Sequence, residues 1–472
     1  MTGHAATGSE GPLSTRRAGV LLHVSSLPGG TLGAEAHDFV DFLASAGCTV
    51  WQMLPLVPPL DGEHSPYRAL SAMACHPGLL DPSRPSPDID DARYRQWADD
   101  QAEWLVPYVE FMTLRSVQGG LPWPEWEPAL RDRDPDRVAA VLSEVPELTR
   151  RFRSEQWAFA EQWRDLREYA AARGVLLFGD LPIFVAHDSV DVWAHRDLFL
   201  LDRTGRPTAV TGVPPDYFAV DGQRWDNPHY DWDAMADDGY AWWRRRITRQ
   251  RALFDLVRID HFRGFAAAWH VPVDAPTARE GHWVTGPGIE VVGPLVETAG
   301  PGSLVAEDLG VITPDVVALR KQAGLPGMKV LQFAFDADPA NPHLPEHHEP
   351  DDVVYTGTHD NDTTLGWWRS LDDAARASIR RRLVRPREQM PWALVRLAMT
   401  SVGALAVVPA QDLLGLDSSA RMNTPGAAEG NWRWRAETGA FDPPLAARLR
   451  ELVSGSDRDS LPHGSGGSPK VT

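Results

Sequence analysis

Cysteine is nearly absent: Cys48 and Cys75 are the only two among 472 residues. Two thiols in so long a chain build no disulfide framework, so a reducing, cytoplasmic compartment is the expected home. No run of 18 apolar residues occurs, and Met1–Gly19 lacks the apolar stretch of a secretory signal. Neither membrane spanning nor standard export is therefore expected. Basic residues are in the minority, 46 against 65 acidic ones, for a formal charge of −19. A field of that sign repels nucleic-acid phosphates and anionic lipid, and suits a neutral or cationic ligand. Tyrosine is sparse as well, with 8 against 19 tryptophans. Indole surface stacks on the apolar faces of sugar rings, although tryptophan also fills contacts between helices and a barrel. The dinucleotide fingerprint is missing too. Gly29-Gly30-Thr31-Leu32-Gly33, preceded by Pro28, fits neither a phosphate loop nor a GxGxxG turn and reads as a plain turn.

What is present has ordinary globular proportions, 43% hydrophobic and 24% charged. The length allows one decorated barrel or two domains. Short apolar runs recur at Gly19–Val24, Thr49–Leu56, Val175–Ile183, Phe254–Ile259, Leu304–Leu309, Met328–Phe333, Val353–Thr358 and Ala406–Gln411. Helical patterns lie between most of them, at His37–Ala46, Ser154–Ala172, part of Gly239–Leu256, Pro314–Gln322 and Trp392–Ser401. Strands buried on both faces and alternating with helices read as βα units around a parallel sheet. Eight such units close a (β/α)8 TIM barrel, with a doubly wound open sheet as the competitor.

The whole chain, 1–472, is read as one catalytic barrel domain carrying insertions. Residues 77–153 are too long for a simple loop and are expected to form a mostly helical subdomain, with helices near Arg95–Gln118 and Arg137–Arg151. Irregular loop insertions are expected at about 201–233 and 271–292. The Gly/Ser-rich tail 454–472 is expected to fray. Oligomeric state is not legible.

Polar residues cluster where the candidate strands end. The fourth gives Arg258-Ile259-Asp260-His261-Phe262-Arg263-Gly264, the fifth Ala306-Glu307-Asp308-Leu309-Gly310, and the seventh Gly357-Thr358-His359-Asp360-Asn361-Asp362. In a barrel these ends converge on one mouth. A single charged strand end is often only a helix cap, but three carboxylates flanked by Arg258, His261 and His359 ask for chemistry. Retaining glycosyl transfer needs a carboxylate nucleophile and a protonatable carboxylic acid about 5–5.5 Å apart. Arg258, two positions before Asp260 on a strand, shares its face and would keep it ionised. A hard-metal site of Asp260, Glu307 and Asp360 is a second reading, opposed by the neighbouring arginine. A His/Asp metal hydrolase using His187, His261 and His359 is a third, without an HxH or HExxH to support it.

A longer series of motifs adds to this cluster. It comprises Leu21-Leu22-His23, Ser25-Ser26-Leu27-Pro28-Gly29, Ser65-Pro66-Tyr67, Gly179–Trp193, Gly212-Val213-Pro214-Pro215-Asp216-Tyr217-Phe218, Arg421–Gly426 and Glu429-Gly430-Asn431-Trp432. In this order, and together with the strand ends, the chain resembles the 4-α-glucanotransferases called amylomaltases or disproportionating enzymes, a branch of the α-amylase superfamily. The resemblance implies retaining transfer of α-1,4-glucan segments between maltooligosaccharides, with no cofactor and no obligatory metal. It implies Asp260 as nucleophile, Glu307 as general acid/base and Asp360 as the carboxylate that grips the sugar. It further implies Tyr67, Ser65, Arg258, His359 and Asn361 as substrate-binding, and a loop with Asp216, Tyr217, Phe218 and Trp225 over the acceptor side. The sequence departs from the family pattern at Cys75-His76, at Asp226, and at Ala266, Ala268 and His270, where Glu, Tyr and Glu are expected. Those last changes lie near the mouth and bear on glucan length preference.

Overall fold

The computed structural model describes residues 11–215, 220–427 and 429–459. Twelve strands are formed among them: β1 (Arg17–Leu21), β2 (Val50–Gln52), β3 (Leu176–Pro182), β4 (Ala209–Val213), β5 (Gln223–Pro228), β6 (Leu256–Asp260), β7 (Ala267–Pro272), β8 (His282–Thr285), β9 (Leu304–Ala306), β10 (Met328–Val330), β11 (Val353–Tyr355) and β12 (Leu405–Pro409). Every residue of β2, β9, β11 and β12 is buried, as runs of Val, Leu and Ala demand when both faces are covered. The eight expected strands pair in the order β10-β11-β12-β1-β2-β3-β6-β9, all in parallel. The two ends of that sheet meet. Ala306 N–H donates to the Pro326 carbonyl at 2.9 Å, and Met328 N–H to Asp308 Oδ1 at 2.8 Å. Arg320 neutralises Asp308 at 3.0 Å, so the seam holds no unpaired charge. The result is a (β/α)8 barrel.

Side-chain alternation divides the core in two. Leu21, Val50, Phe178, Leu256, Val305, Met328, Val330, Val353, Tyr355, Leu405 and Val407 fill the lumen. The alternate residues, among them Val20, Trp51, Leu177, Val257, Ile259, Ala306 and Val408, face the helices. Leu256 therefore sets the parity that sends Arg258 and Asp260 inward, and Val305 does the same for Glu307. Gly179 on β3 is required by its neighbour, since a Cβ there would stand 2.2 Å from the Phe254 ring.

The chain between β2 and β3 is helical where expected: Ala92–Asp100, Ala102–Val117, Pro135–Glu144 and Pro146–Ala172. The side chains of Asp91 and Asp134 cap two of these helices by accepting from Tyr94 N–H and Arg137 N–H. The helix expected over Arg137–Arg151 is broken at Val145, because Pro146 restarts the chain as the first residue of a new helix. Tryptophan serves mainly the bland purpose here, since ten of the 19 are buried.

Two expectations need correction. The stretches 201–233 and 271–292 are not irregular loops: with β7 they form a second, antiparallel sheet in the order β5-β4-β7-β8. Of its strands, β5 carries the weakest local signal, since Gln-Arg-Trp-Asp-Asn-Pro has no β-branched residue and cross-strand pairing holds it instead. The tail does not fray from Ser454. A helix runs through that residue, and Arg458 is buried beneath the barrel, donating to the carbonyls of Met399 at 2.7 Å, Arg17 at 2.9 Å and Ser401 at 2.8 Å. Residues 460–472 lie outside the described residues.

Candidate active site

Three strand ends of the barrel present the carboxylates that the sequence singled out. Arg258, 4% exposed, reaches from mid-strand in β6 and donates to Asp260 Oδ1 at 2.6 Å. Its other amino group pairs with Asp180 at the end of β3, a carboxylate with no exposed surface. Tyr67 Oη donates to the same Asp180 oxygen at 2.7 Å. Asp180 falls within the Val175–Ile183 run and the Gly179–Trp193 motif but is not among the site residues expected from the sequence. Its signal was the Gly179-Asp180 pair, on the same register as Arg258 in the neighbouring strand. Arg258, itself anchored on Asp180, holds Asp260 at the mouth with a quarter of its side chain exposed.

Glu307 follows β9 directly. His261 N–H donates to its Oε2 at 2.6 Å and Leu309 N–H to its Oε1 at 2.9 Å, so both oxygens are fixed by backbone. The backbone joins the two strand ends as well, through Glu307 N–H to the Ile259 carbonyl at 3.0 Å. His261 adopts a left-handed φ of 50°, the bend that lets the chain turn back over Glu307 immediately after Asp260. Burial is the main influence on both carboxyls. It raises Glu307 from its ordinary value to about 8 and Asp260 to about 6, with the Arg258 guanidinium pulling each back down. Asp260 lies in direct contact with that guanidinium and loses its proton first. Near neutral pH one carboxyl is charged while its neighbour is protonated.

Asp360 stands beyond β11, with 42% of its side chain exposed. Asn423 Nδ2 donates to its Oδ1 at 2.6 Å, and Arg421 donates to its carbonyl at 2.6 Å. His359 Nε2 lies 3.3 Å from Asp360 Oδ2. The His359 ring stacks on Tyr67 at 5.2 Å between centroids and 14° between planes, and Trp432 leans on both at 5.7 and 5.6 Å. Burial lowers the His359 pKa, which keeps the imidazole neutral and able to donate or accept. Arg421, Asn423 and Trp432 belong to the C-terminal motifs and are not among the site residues expected from the sequence. Their position after the last strand gives no hint that the chain returns to the mouth.

The remaining expected residues fall into three groups. Ser65 accepts from Tyr67 N–H at 3.3 Å and so shapes the turn that presents the tyrosine. Asn361 Oδ1 is taken up by Thr358, from N–H at 2.9 Å and Oγ1 at 3.0 Å, and the residue borders a cleft with His23, Leu54, His359 and Arg421. Trp225 packs edge-on against His261 at 4.8 Å, which sets it beside the Asp260 turn. Asp216, Tyr217 and Phe218 lie outside the described residues. His187 is spent on the Gly205 carbonyl at 2.7 Å, away from the cluster. Among the described residues no group of three or more His, Cys, Asp or Glu is arranged to hold a metal ion.

Comparison with known proteins agrees with this geometry. The 4-alpha-glucanotransferase family model matches residues 22–88 and 83–440. The chain is 44% identical to the 4-alpha-glucanotransferase of Thermus thermophilus over 94% of its own length and 99% of that protein. It is 41% identical to the chloroplastic/amyloplastic 4-alpha-glucanotransferase of Arabidopsis thaliana, over 94% of this chain and 86% of that protein. Among solved structures, the amylomaltase from Streptococcus agalactiae in complex with acarbose superposes with a TM-score of 0.88 at 32% identity, covering 94% of this chain and 99% of that one. The barrel, the carboxylates at its mouth and these matches lead to one conclusion: this chain belongs to the 4-α-glucanotransferase (amylomaltase) family.

Proposed function

We propose that the chain moves α-1,4-glucan segments between maltooligosaccharides by a retaining double displacement, with Asp260 as nucleophile and Glu307 as acid and base. The observation that carries this reading is the contrast between two adjacent carboxyls. Asp260 is ion-paired to Arg258, while Glu307 is buried on backbone donors with its pKa raised to about 8. In the first step a carboxylate oxygen of Asp260 bonds to C1 of the donor sugar. The glycosidic oxygen leaves with the proton of Glu307. In the second, Glu307 takes the proton of an acceptor 4-hydroxyl, whose oxygen attacks C1 and releases Asp260. Each inversion undoes the other, and the α configuration is kept.

The surrounding residues hold the sugar. Asp360, fixed by Asn423 yet open on one side, accepts from ring hydroxyls. The Tyr67–His359 stack offers an apolar face with a neutral imidazole beside it. Trp225, on β5 beside His261, helps to keep water from the glycosyl enzyme until an acceptor arrives. Barrel, helical insertion and antiparallel sheet act as one catalytic unit, and a reducing cytoplasm suits the two buried free thiols.

Maltotriose alone tests the reading. The enzyme should release glucose early and build chains longer than three units, with reducing ends nearly constant, because every bond broken is replaced by one formed. Chromatography with a reducing-end assay follows both. A steady rise in reducing ends with no product longer than the substrate would make the protein a hydrolase.

A further inference from the structure

Trp283 on β8 is 39% exposed, unusual for so large an apolar ring, and it is not loosely placed. The guanidinium of Arg263 lies over one face of the indole, 3.9 Å from the ring centroid. Trp269, directly opposite on β7, meets it edge-on at 5.1 Å. Arg263 is itself buried, and it ties the two catalytic turns together. It sits three residues after Asp260 and donates to the carbonyl of Val311, four residues after Glu307. The hairpin is fastened to the same turn by Gly286 N–H to the Ala266 carbonyl at 2.8 Å and Gly288 N–H to the Phe265 carbonyl at 2.9 Å. A pinned indole anchored to the turns that follow Asp260 and Glu307 is thus left with surface open to solvent.

We propose that Trp283 is a remote acceptor subsite, on which a glucosyl unit several places beyond the scissile bond stacks its apolar face. The inference rests on the glucan-transfer reading above. Three features favour a glucan over another occupant. The shelf is tied through Arg263 to the turn that follows Glu307, the group that serves the departing and incoming chains. Trp225 and Trp283 lie on the two edge strands of one sheet and flank the single turn at His261–Arg263. The ring is held by arginine and tryptophan before any ligand arrives, so little ordering is lost when a sugar stacks on it.

The test compares acceptors of two lengths with maltotriose as donor: glucose, too short to reach the shelf, and maltohexaose, both labelled at the reducing end. In Trp283→Ala the KM for maltohexaose should rise about tenfold, and by clearly more than the KM for glucose, with kcat little altered. Trp283→Phe should recover part of the difference, because a ring remains. An equal rise for both acceptors, or a fall in kcat shared by both, would show that Trp283 merely supports the turn and would overturn the proposal. So would an unchanged KM for maltohexaose. Failure of the wild-type enzyme to lengthen either labelled acceptor is a different result, and it counts against the transfer reading itself.

Discussion

Asp260→Ala is expected to lower kcat for transfer from maltotriose by at least about 10⁴-fold, because it removes the covalent route and not merely a contact. The same substitution should leave the fold in place. Asp260 is the last residue of β6, a quarter exposed, and contributes nothing to the lumen's apolar packing. Arg258 would lose one of two carboxylate partners but keep Asp180, with Tyr67 still donating to that aspartate. A buried guanidinium with one partner is less stable than one with two, yet it is not left unpaired. Glucose release and the thermal unfolding midpoint, measured on the same preparation, separate the two effects. A variant that unfolds tens of degrees earlier would show that Asp260 also holds the barrel together. One that is stable and retains a tenth of the wild-type rate would show that another group attacks the sugar.

Glu307→Gln should slow transfer by about 10²–10⁴-fold and reshape its pH dependence. In the wild type kcat/KM should rise as pH passes about 6, where Asp260 ionises, and fall as it passes about 8, where Glu307 loses the proton it must donate. Both carboxyls are raised by burial, so the working window lies between them: one charged, one neutral. The glutamine cannot ionise, and the alkaline fall should disappear while the acid limb remains. The replacement is not innocent. Both oxygens of Glu307 accept from backbone N–H groups, so the new amide NH2 must face either His261 N–H or Leu309 N–H. Opposing donors cost about 1–3 kcal/mol of stability, which a melting curve will show. A donor with a fluoride leaving group needs no proton in the first step, and the rate deficit should shrink for it. An alkaline limb that persists in the variant would assign the upper ionisation to another residue.

The barrel was legible because its strands are short, mostly apolar and for the most part separated by helices, and all eight appear where the pattern put them. Their C-terminal limits were less legible. The candidate runs reaching Leu309 and Thr358 overshoot strands that stop at Ala306 and Tyr355, so Glu307 directly follows its strand and Asp360 lies five residues beyond its own. The pairing of Arg258 with Asp260 followed from two-residue periodicity, but the link onward to Asp180 needed the register between β3 and β6. Trp432 and Asn423 come from a segment after the last strand that folds back over the opening, a path that local patterning does not encode. The antiparallel sheet carrying Trp225 and Trp283 was hidden for a related reason. Strands such as His-Trp-Val-Thr at 282–285 are largely exposed, and their stability comes from partners distant in sequence.

The central claim is that a glucosyl chain is carried on Asp260, and a trapping measurement addresses it most directly. Glu307→Gln should accept the glycosyl group of an α-maltotriosyl fluoride, which needs no acid, and then release it slowly, because no base remains to activate the acceptor hydroxyl. Rapid quenching and mass spectrometry of the digested protein should find one maltotriosyl adduct, on the peptide that contains Asp260. Fluoride released over many turnovers without any adduct, or an adduct borne by a different residue, would contradict the account.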